Sequence, residues 1–484
     1  MRPDLVGVSI KKPAKYFNKY YGEPMSSLDL AKLPGYIKPK GKWKNIFSYH
    51  PYDIELAKAN GIHLYDTAGK QYIDASGGPM AVNVGHNNPR IKKAIADQLD
   101  LFNYVHPIFA NGPKAEFCDK IASVAPGSLN ASYLVSGGSE AVDTAMKLVR
   151  QAQIARGFKN KHKIISNHES YHGMTLATLA VSGNASSQTP FENMFKRYPQ
   201  IKQYSDHNRP VEISREEWGV VCAQELEQAI HYAGPNTVAA YLATPHGAGC
   251  DYGVVPPISY WETIREICNH YDVYLIADEV ITGFGRTGKW FGMQHFKVQA
   301  DVMTTAKGIS GMYAPLGAVT VSDEINELFN TGAYFIHGFT SGGHPIAVAA
   351  GSATIDVVRD DKLVENAAAM ESVLFAHKDK LLAHPTVKDI RGWGLFMVGE
   401  LVKNKDDMTF FDSDQEAEKL FQQVALKNGL ALYGTLYGAR RQPANRRGLP
   451  FWISPPLSIN SNQINDMMSR LDDTLSEWEI KLKV

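Results

Sequence analysis

The stretch from Val273 to Gly308 constrains this 484-residue chain more than any other. It opens VYLIADEVITGFGRTGKW, in which an apolar run from Val273 to Ala277 ends in Asp278 and Glu279 and then breaks into Gly, Thr and Arg. A continuous apolar run closed by an acid predicts a strand buried on both faces of a parallel sheet, delivering its carboxylate to the C-terminal edge. Further on comes TTAKGIS, with Lys307 between the β-favouring Val302 to Thr305 run and a glycine. Ligands of open α/β sheets collect at the carboxyl ends of strands. An amine and an acid brought to that edge suit a cofactor that needs both a covalent anchor and an acid partner for a ring nitrogen.

Pyridoxal phosphate is such a cofactor. Taken singly, a buried Asp after a strand is more often a turn or cap residue, and a Lys beside Gly is usually solvated. The case therefore rests on the other parts of such a site standing elsewhere in workable order.

One such part is the segment 132–149. Ser132 to Val135 predicts a buried strand, Ser136-Gly137-Gly138-Ser139 a tight turn, and Glu140 onward a helix whose apolar face is Val142, Ala145, Met146 and Val149. A strand–glycine–serine–helix junction turns backbone N–H groups and a positive helix end toward an anion such as a phosphate. Its alternative is a plain helix cap on Ser139. KIISN (163–167) predicts a second strand, after which Tyr171, His172 and Gly173 fall just past its end. An aromatic there either stacks on a flat ring or closes a local core.

VAAYLA (238–243) and LGAVTVS (316–322) complete a run of strands alternating with helices from about 130 to 322, with 184–216 loop-rich and Pro257 to His270 helical. That alternation predicts an α/β fold around a mostly parallel sheet. Ahead of it, IHLYDTAGKQYIDAS predicts two short strands, and helices are expected over Pro89 to Leu101 and Pro113 to Val124. After the Ile346 to Val358 helix come helices near 362–382, 413–428 and 461–480 and a strand in GLFMVGELV (394–402), which together predict a smaller α/β lobe.

Composition narrows the partners. Lys plus Arg and Asp plus Glu each number 50, so no charge excess points to nucleic acid or an anionic membrane. The basic run GYIKPKGKWKN (35–45) is expected to be a solvated loop. The four cysteines (118, 222, 250, 268) form no CxxC, no metal set and no disulfide framework, and a reducing cytoplasm is the expected compartment. No run approaches the roughly 18 apolar residues of a spanning helix, and no signal-peptide core is present.

With SGGSEA, SYHG, ADEVITGFGRTG, TTAKG, YAPLGAV and HGFTSGGHP in order, the sequence resembles the class III (ω-) aminotransferases, closest to their amine:pyruvate branch. The resemblance implies a fold type I, pyridoxal phosphate-dependent transferase. Its large domain (76–345) would hold a mostly parallel seven-stranded sheet. Its small domain would combine an N-terminal segment (1–75) with residues 346–484. By that resemblance Lys307 forms the aldimine with the cofactor and later shuttles the proton, while Asp278 bonds the pyridine nitrogen. Val280 and Tyr171 would sandwich the ring with His172 beside it, and Gly138 and Ser139 would hold the phosphate. Thr340 would reach the phosphate of a neighbouring subunit, with Gly338 and Phe339 at the same interface, which implies a homodimer or a homotetramer. The implied reaction is ping-pong transfer of an amino group from an amine or ω-amino acid to an oxo acid, pyruvate for preference.

The sequence departs from the family at several places. Thr244 stands where the family often has a Glu before Pro, and Ala248 where glutamate-using members often carry a second Glu that pairs a movable arginine; lacking that second acid favours pyruvate. The segment that normally supplies a movable arginine is lengthened to YGTLYGARRQPANRRGLPFWISPPL (433–457). Either Tyr433 or Asn445 takes the arginine's place, and Arg440 and Arg441 are candidate carboxylate ligands, as are Arg446 and Arg447. Met80 stands where the amine branch commonly has Trp, which predicts a roomier substrate pocket. Two other classes stay open at this point: an aminomutase, epimerase or decarboxylase using the same cofactor, and a non-catalytic protein that has kept the fold.

Overall fold

The computed structural model describes residues 54–106, 108–247, 252–412, 414–433 and 448–484. The basic run 35–45, most of the expected N-terminal segment, Ala248 and the arginines 440, 441, 446 and 447 lie outside the described residues. Every element below belongs to one compact unit, Leu56–Val484.

The strands, in chain order, are β1 (Leu56–Asn60), β2 (His63–Asp66), β3 (Gln71–Asp74), β4 (Leu129–Val135), β5 (Lys163–Asn167), β6 (Gln200–Ile201) and β7 (Val238–Ala243). They continue with β8 (Tyr274–Asp278), β9 (Val302–Thr305), β10 (Gly317–Ser322), β11 (Val387–Trp393), β12 (Phe396–Leu401), β13 (Leu430–Ala431) and β14 (Leu449–Ile453). Seven of them form the central sheet in the order β4-β10-β9-β8-β7-β5-β6. β10 pairs antiparallel with both β4 and β9, whereas β9, β8, β7, β5 and β6 pair in parallel. The expected mostly parallel seven-stranded sheet is therefore present, with β10 as its one reversed strand.

Both faces of the sheet are covered, which is why β7 and β8 up to Ala277 are apolar without alternation and why β7, β8 and β10 are buried at every residue. The two-residue period of β8 sends Leu275 and Ala277 to one face, against Leu226, Ile230, Trp261 and Ile264 of the helices Arg215–Ala233 and Ile258–His270. It sends Tyr274 and Ile276 to the other, against Val142, Ala145 and Val149 of the helix Gly138–Ala155. Each such buried aliphatic side chain contributes about 1.5–3 kcal/mol. By the same alternation Asp278 emerges on the face that carries Gly138–Ala155, and it does so where β8 ends.

Two smaller sheets flank this body, β1-β2-β3-β13 and the antiparallel β11-β12-β14. β11 and β14 were not expected: VKDIRGW is broken by a glycine, and LPFWI sits inside the lengthened segment before Pro455-Pro456. The helix expected near 362–382 divides into Leu363–Phe375 and Lys378–Leu382. Residues 184–216, read as loop, hold short helical turns, β6 and the start of Arg215–Ala233. No helix among the described residues is long and apolar enough to cross a membrane.

Candidate active site

The carboxyl ends of the parallel strands surround a cavity lined by Gly138, Ser139, Tyr171, His172, Gly173, Thr244, Asp278, Val280, Ile281 and Lys307. Each group is delivered by the turn after a strand. Gly138 and Ser139 follow β4, Tyr171 to Gly173 follow β5, Thr244 follows β7, Asp278 to Ile281 end and follow β8, and Lys307 follows β9. Register sets the spacing: Asp278 pairs with Thr304, so Lys307 stands three residues beyond the carboxylate's partner.

Asp278 is 4% exposed. One of its oxygens, Oδ2, is 2.7 Å from His172 Nδ1, and the other accepts from Thr304 Oγ1 and Val280 N–H, each at 3.2 Å. This web fixes the carboxylate's rotamer and leaves a buried acid facing the cavity. His172 Nε2, by contrast, is a buried ring nitrogen without a hydrogen-bond partner. Next to Asp278, Glu279 plays a different part. It points away into the protein and accepts from Gly292 N–H and Met293 N–H, each at 2.8 Å, and from Thr282 Oγ1. Burial pushes its carboxyl up to about 7 against the pull of those hydrogen bonds.

Lys307 has φ +48°, a left-handed conformation that costs a non-glycine residue and that is found where surrounding structure imposes it. Its amine is pushed down to about 8, mainly by burial; the Asp278 carboxylate opposes the shift and the Arg286 guanidinium adds to it. A lysine in that state carries a substantial neutral fraction near neutral pH, which nucleophilic attack on a carbonyl requires.

The helix after β4 begins at Gly138, two residues earlier than expected, with Gly137 at its cap position and no side-chain cap. Ser139 is therefore no plain helix cap: its Oγ accepts from Met174 N–H at 3.1 Å. Gly138 leaves space that a Cβ would take, since an added carbon would stand 3.1 Å from Val280 Cγ1 and 3.7 Å from Ala306 Cβ. An uncapped N-terminus faced by a bare glycine and a hydroxyl is a cradle for an anion.

Other expected residues lie apart from this cavity. Thr340 is exposed, and its carbonyl accepts from Tyr104 Oη at 3.0 Å; Phe339 packs edge-on against His337, with ring centroids 4.8 Å apart. Met80 is 4% exposed and belongs to a small apolar cluster with Tyr252, Ile281, Phe396, Val398 and Trp452, touching the cavity only through Ile281. Arg440 and Arg441 lie outside the described residues. Sequence reading passed over Asn83, Ile281 and Arg286; of these, only Arg286 had a visible signal, as a charge inside a glycine-rich turn.

The residues present fit pyridoxal phosphate. A buried acid for the ring nitrogen, an amine of lowered basicity and an anion cradle line one cavity, and Gly138 and Val280 keep its floor small. The family model described as Aminotransferase class-III matches residues 47–475. Among curated relatives, the putrescine–pyruvate aminotransferase of Pseudomonas aeruginosa is 36% identical over 420 residues, 86% of this chain and 88% of that one. The taurine–pyruvate aminotransferase of Bilophila wadsworthia is 36% identical over 467 residues, 94% of this chain and 99% of that one. Among solved structures, a transaminase from the marine bacterium Virgibacillus superposes with a TM-score of 0.82 at 32% identity, covering 97% of this chain and 99% of that one. The ω-transaminase of Pseudomonas jessenii in complex with PMP does so with 0.82 at 29%, covering 90% and 97%.

Proposed function

Because the chain belongs to the class III aminotransferases, we propose that it moves the amino group of a primary amine or ω-amino acid to pyruvate in two half-reactions. The observation that carries this reading is that Asp278 and Lys307 line one cavity at the sheet edge. Pyridoxal phosphate, the cofactor of this family, supplies when bound an aldehyde that takes up the amino group and a ring that spreads the charge left when the donor's Cα loses its proton. Asp278 holds a proton on the ring nitrogen, and His172 orients Asp278 through Nδ1. Lys307 Nζ anchors the cofactor and, once released, carries the Cα proton. Gly138 and Ser139 would hold the phosphate, and Val280 and Tyr171, which line the same cavity, would pack against the ring.

Pyruvate as acceptor is supported by the putrescine–pyruvate and taurine–pyruvate relatives and by Ala248 standing where glutamate-using members carry the acid that pairs a movable arginine. Met80 packs behind Ile281, which lines the cavity, and would shape its apolar wall from there, while Arg440 or Arg441 would bind the substrate carboxylate. The active enzyme is a homodimer, or a tetramer made of two such dimers. In support, Leu101, Ile108, Phe109, Tyr334 and Ile336 are all more than two-thirds exposed except Phe109, at 65%. Tyr104 ties the first of these segments to the loop that carries Thr340, by its bond to Thr340 and its ring contact with His344, and we read these exposed apolar side chains as surface for a second copy. We read 76–345 as the cofactor-binding domain and 1–75 with 346–484 as the smaller one, in a cytoplasmic enzyme. Incubating the purified protein with a panel of amines plus pyruvate tests the reaction: alanine should form in step with a carbonyl product, and amine conversion without any oxo acid would point to a mutase or decarboxylase instead.

A further inference from the structure

Arg286 is fully buried, yet among the described residues it forms no ion pair. Its Nη1 donates to the carbonyls of Leu395 at 3.0 Å and Pro455 at 2.6 Å, its Nη2 donates to Asn83 Oδ1 at 2.9 Å, and its Nε has no partner. Asp74, the carboxylate that acts on it electrostatically, is already bound by His86 Nε2 at 2.7 Å. A buried cation held by carbonyls alone is expensive. An apolar side chain would fill the same space at lower cost, so the charge itself calls for an account.

Asn83 supplies it. The amide that receives Arg286 turns its other end to the loop after β8, donating from Nδ2 to Phe284 O at 2.9 Å. The same Nδ2 lies against Gly308, where an added Cβ would stand 2.4 Å from it. Gly308 follows Lys307 directly, and Lys307 is the residue with the imposed left-handed backbone. The guanidinium thus grips one face of Asn83 while the other presses on the turn that carries the amine. The charged groups that act on Lys307 are Asp278 from β8, itself held by His172, and Arg286 from the loop beyond.

We propose that Arg286 is a positioning residue for Lys307: it pins Asn83 against Gly308, the residue next to Lys307, and contributes a fixed positive charge to the groups that act on the amine. Carbonyls from two distant segments, at Leu395 and Pro455, complete the grip, so the anchor turn is held from the smaller sheet β11-β12-β14 and its flank as well as from its own loop. The proposal rests on Lys307 being the cofactor-bearing amine.

The test measures Lys307 directly. The full chain, stripped of cofactor, is labelled with trace acetic anhydride across pH, and Lys307 modification is read by peptide mass spectrometry. Arg286→Met should raise the labelling midpoint, with a matching loss of free amine at pH values below it. Arg286→Lys should hold the midpoint near wild type, because the charge stays. It should also lower kcat at little-changed KM, because an ammonium cannot reproduce the planar fork that seats Asn83. Asn83→Ala should likewise lower kcat without moving the midpoint. A folded Arg286→Met with the wild-type midpoint overturns the proposal. If that variant fails to fold, wild-type kcat in both Arg286→Lys and Asn83→Ala overturns it instead, and reduced kcat in both supports it. Lys307→Ala separates the two layers: if it keeps the cofactor's absorbance, the reading of the site fails, and if it loses it, only the role of Arg286 is in question.

Discussion

At the scale of single residues, the site is a contrast between two buried ionisable groups that must be in opposite states. In the proposed reaction Asp278 works as a carboxylate, and its contacts with His172, Thr304 and Val280 N–H fix where it stands. Asp278→Asn should leave the fold and bound cofactor intact while lowering turnover by roughly 10²–10³, the usual cost of losing one preorganised electrostatic group; steady-state kinetics with any accepted amine checks it. Lys307 has to be neutral, and its amine sits at about 8 against an ordinary 10.5. Between those two pH values the unfolded chain binds the proton that the folded one has lost, so the cofactor-free protein should gain stability as pH rises from about 8 to 10.5. Below 8 both states carry the proton, and the cost of burying it is felt in full. Lys307→Ala should flatten that rise, which urea titrations at pH 7.5 and 10 would show. Asp278 and Lys307 were legible from their strands, whereas Asn83 was not and Arg286 showed only as a charge in a glycine-rich turn, because their meaning lies in a contact between segments some two hundred positions apart.

At the scale of elements, the strand–turn junctions decide where chemistry can sit. The helix beginning at Gly138 leaves its first N–H groups without a side-chain cap, and Ser139 closes the cradle. Ser139→Ala should weaken binding of the cofactor's phosphate by about ten- to a hundredfold, the worth of one hydrogen bond to a charged group. Helix content should not change; cofactor titration beside circular dichroism measures both. The apolar runs of β7 and β8 could be read from sequence because burial on two faces leaves little else to choose. The helix Arg215–Ala233 was passed over although Ser214 and Glu217 form a capping box, a signature that the sequence displays as S-x-x-E. β14 was hidden for another reason: its partner β12 lies nearly fifty residues earlier, and no local pattern records that pairing.

At the scale of the whole molecule, the exposed apolar side chains around Tyr104 and Thr340 predict a dimer of about twice the 53.5 kDa chain or a multiple of it. Sedimentation equilibrium should find no stable monomer at micromolar concentration. Replacing Ile108 and Ile336 with Asp should dissociate the assembly and lower cofactor affinity together, since Thr340 would lose its neighbour. The central claim is amino transfer through one cofactor held between Asp278 and Lys307, and one spectrophotometric titration tests it most directly. Purified, cofactor-loaded protein given a primary amine alone should lose its visible absorbance once, releasing one carbonyl product per site. Pyruvate added afterwards should restore the absorbance and yield one alanine per site. Amine consumed over many turnovers without pyruvate, or absorbance that neither substrate changes, would contradict the account.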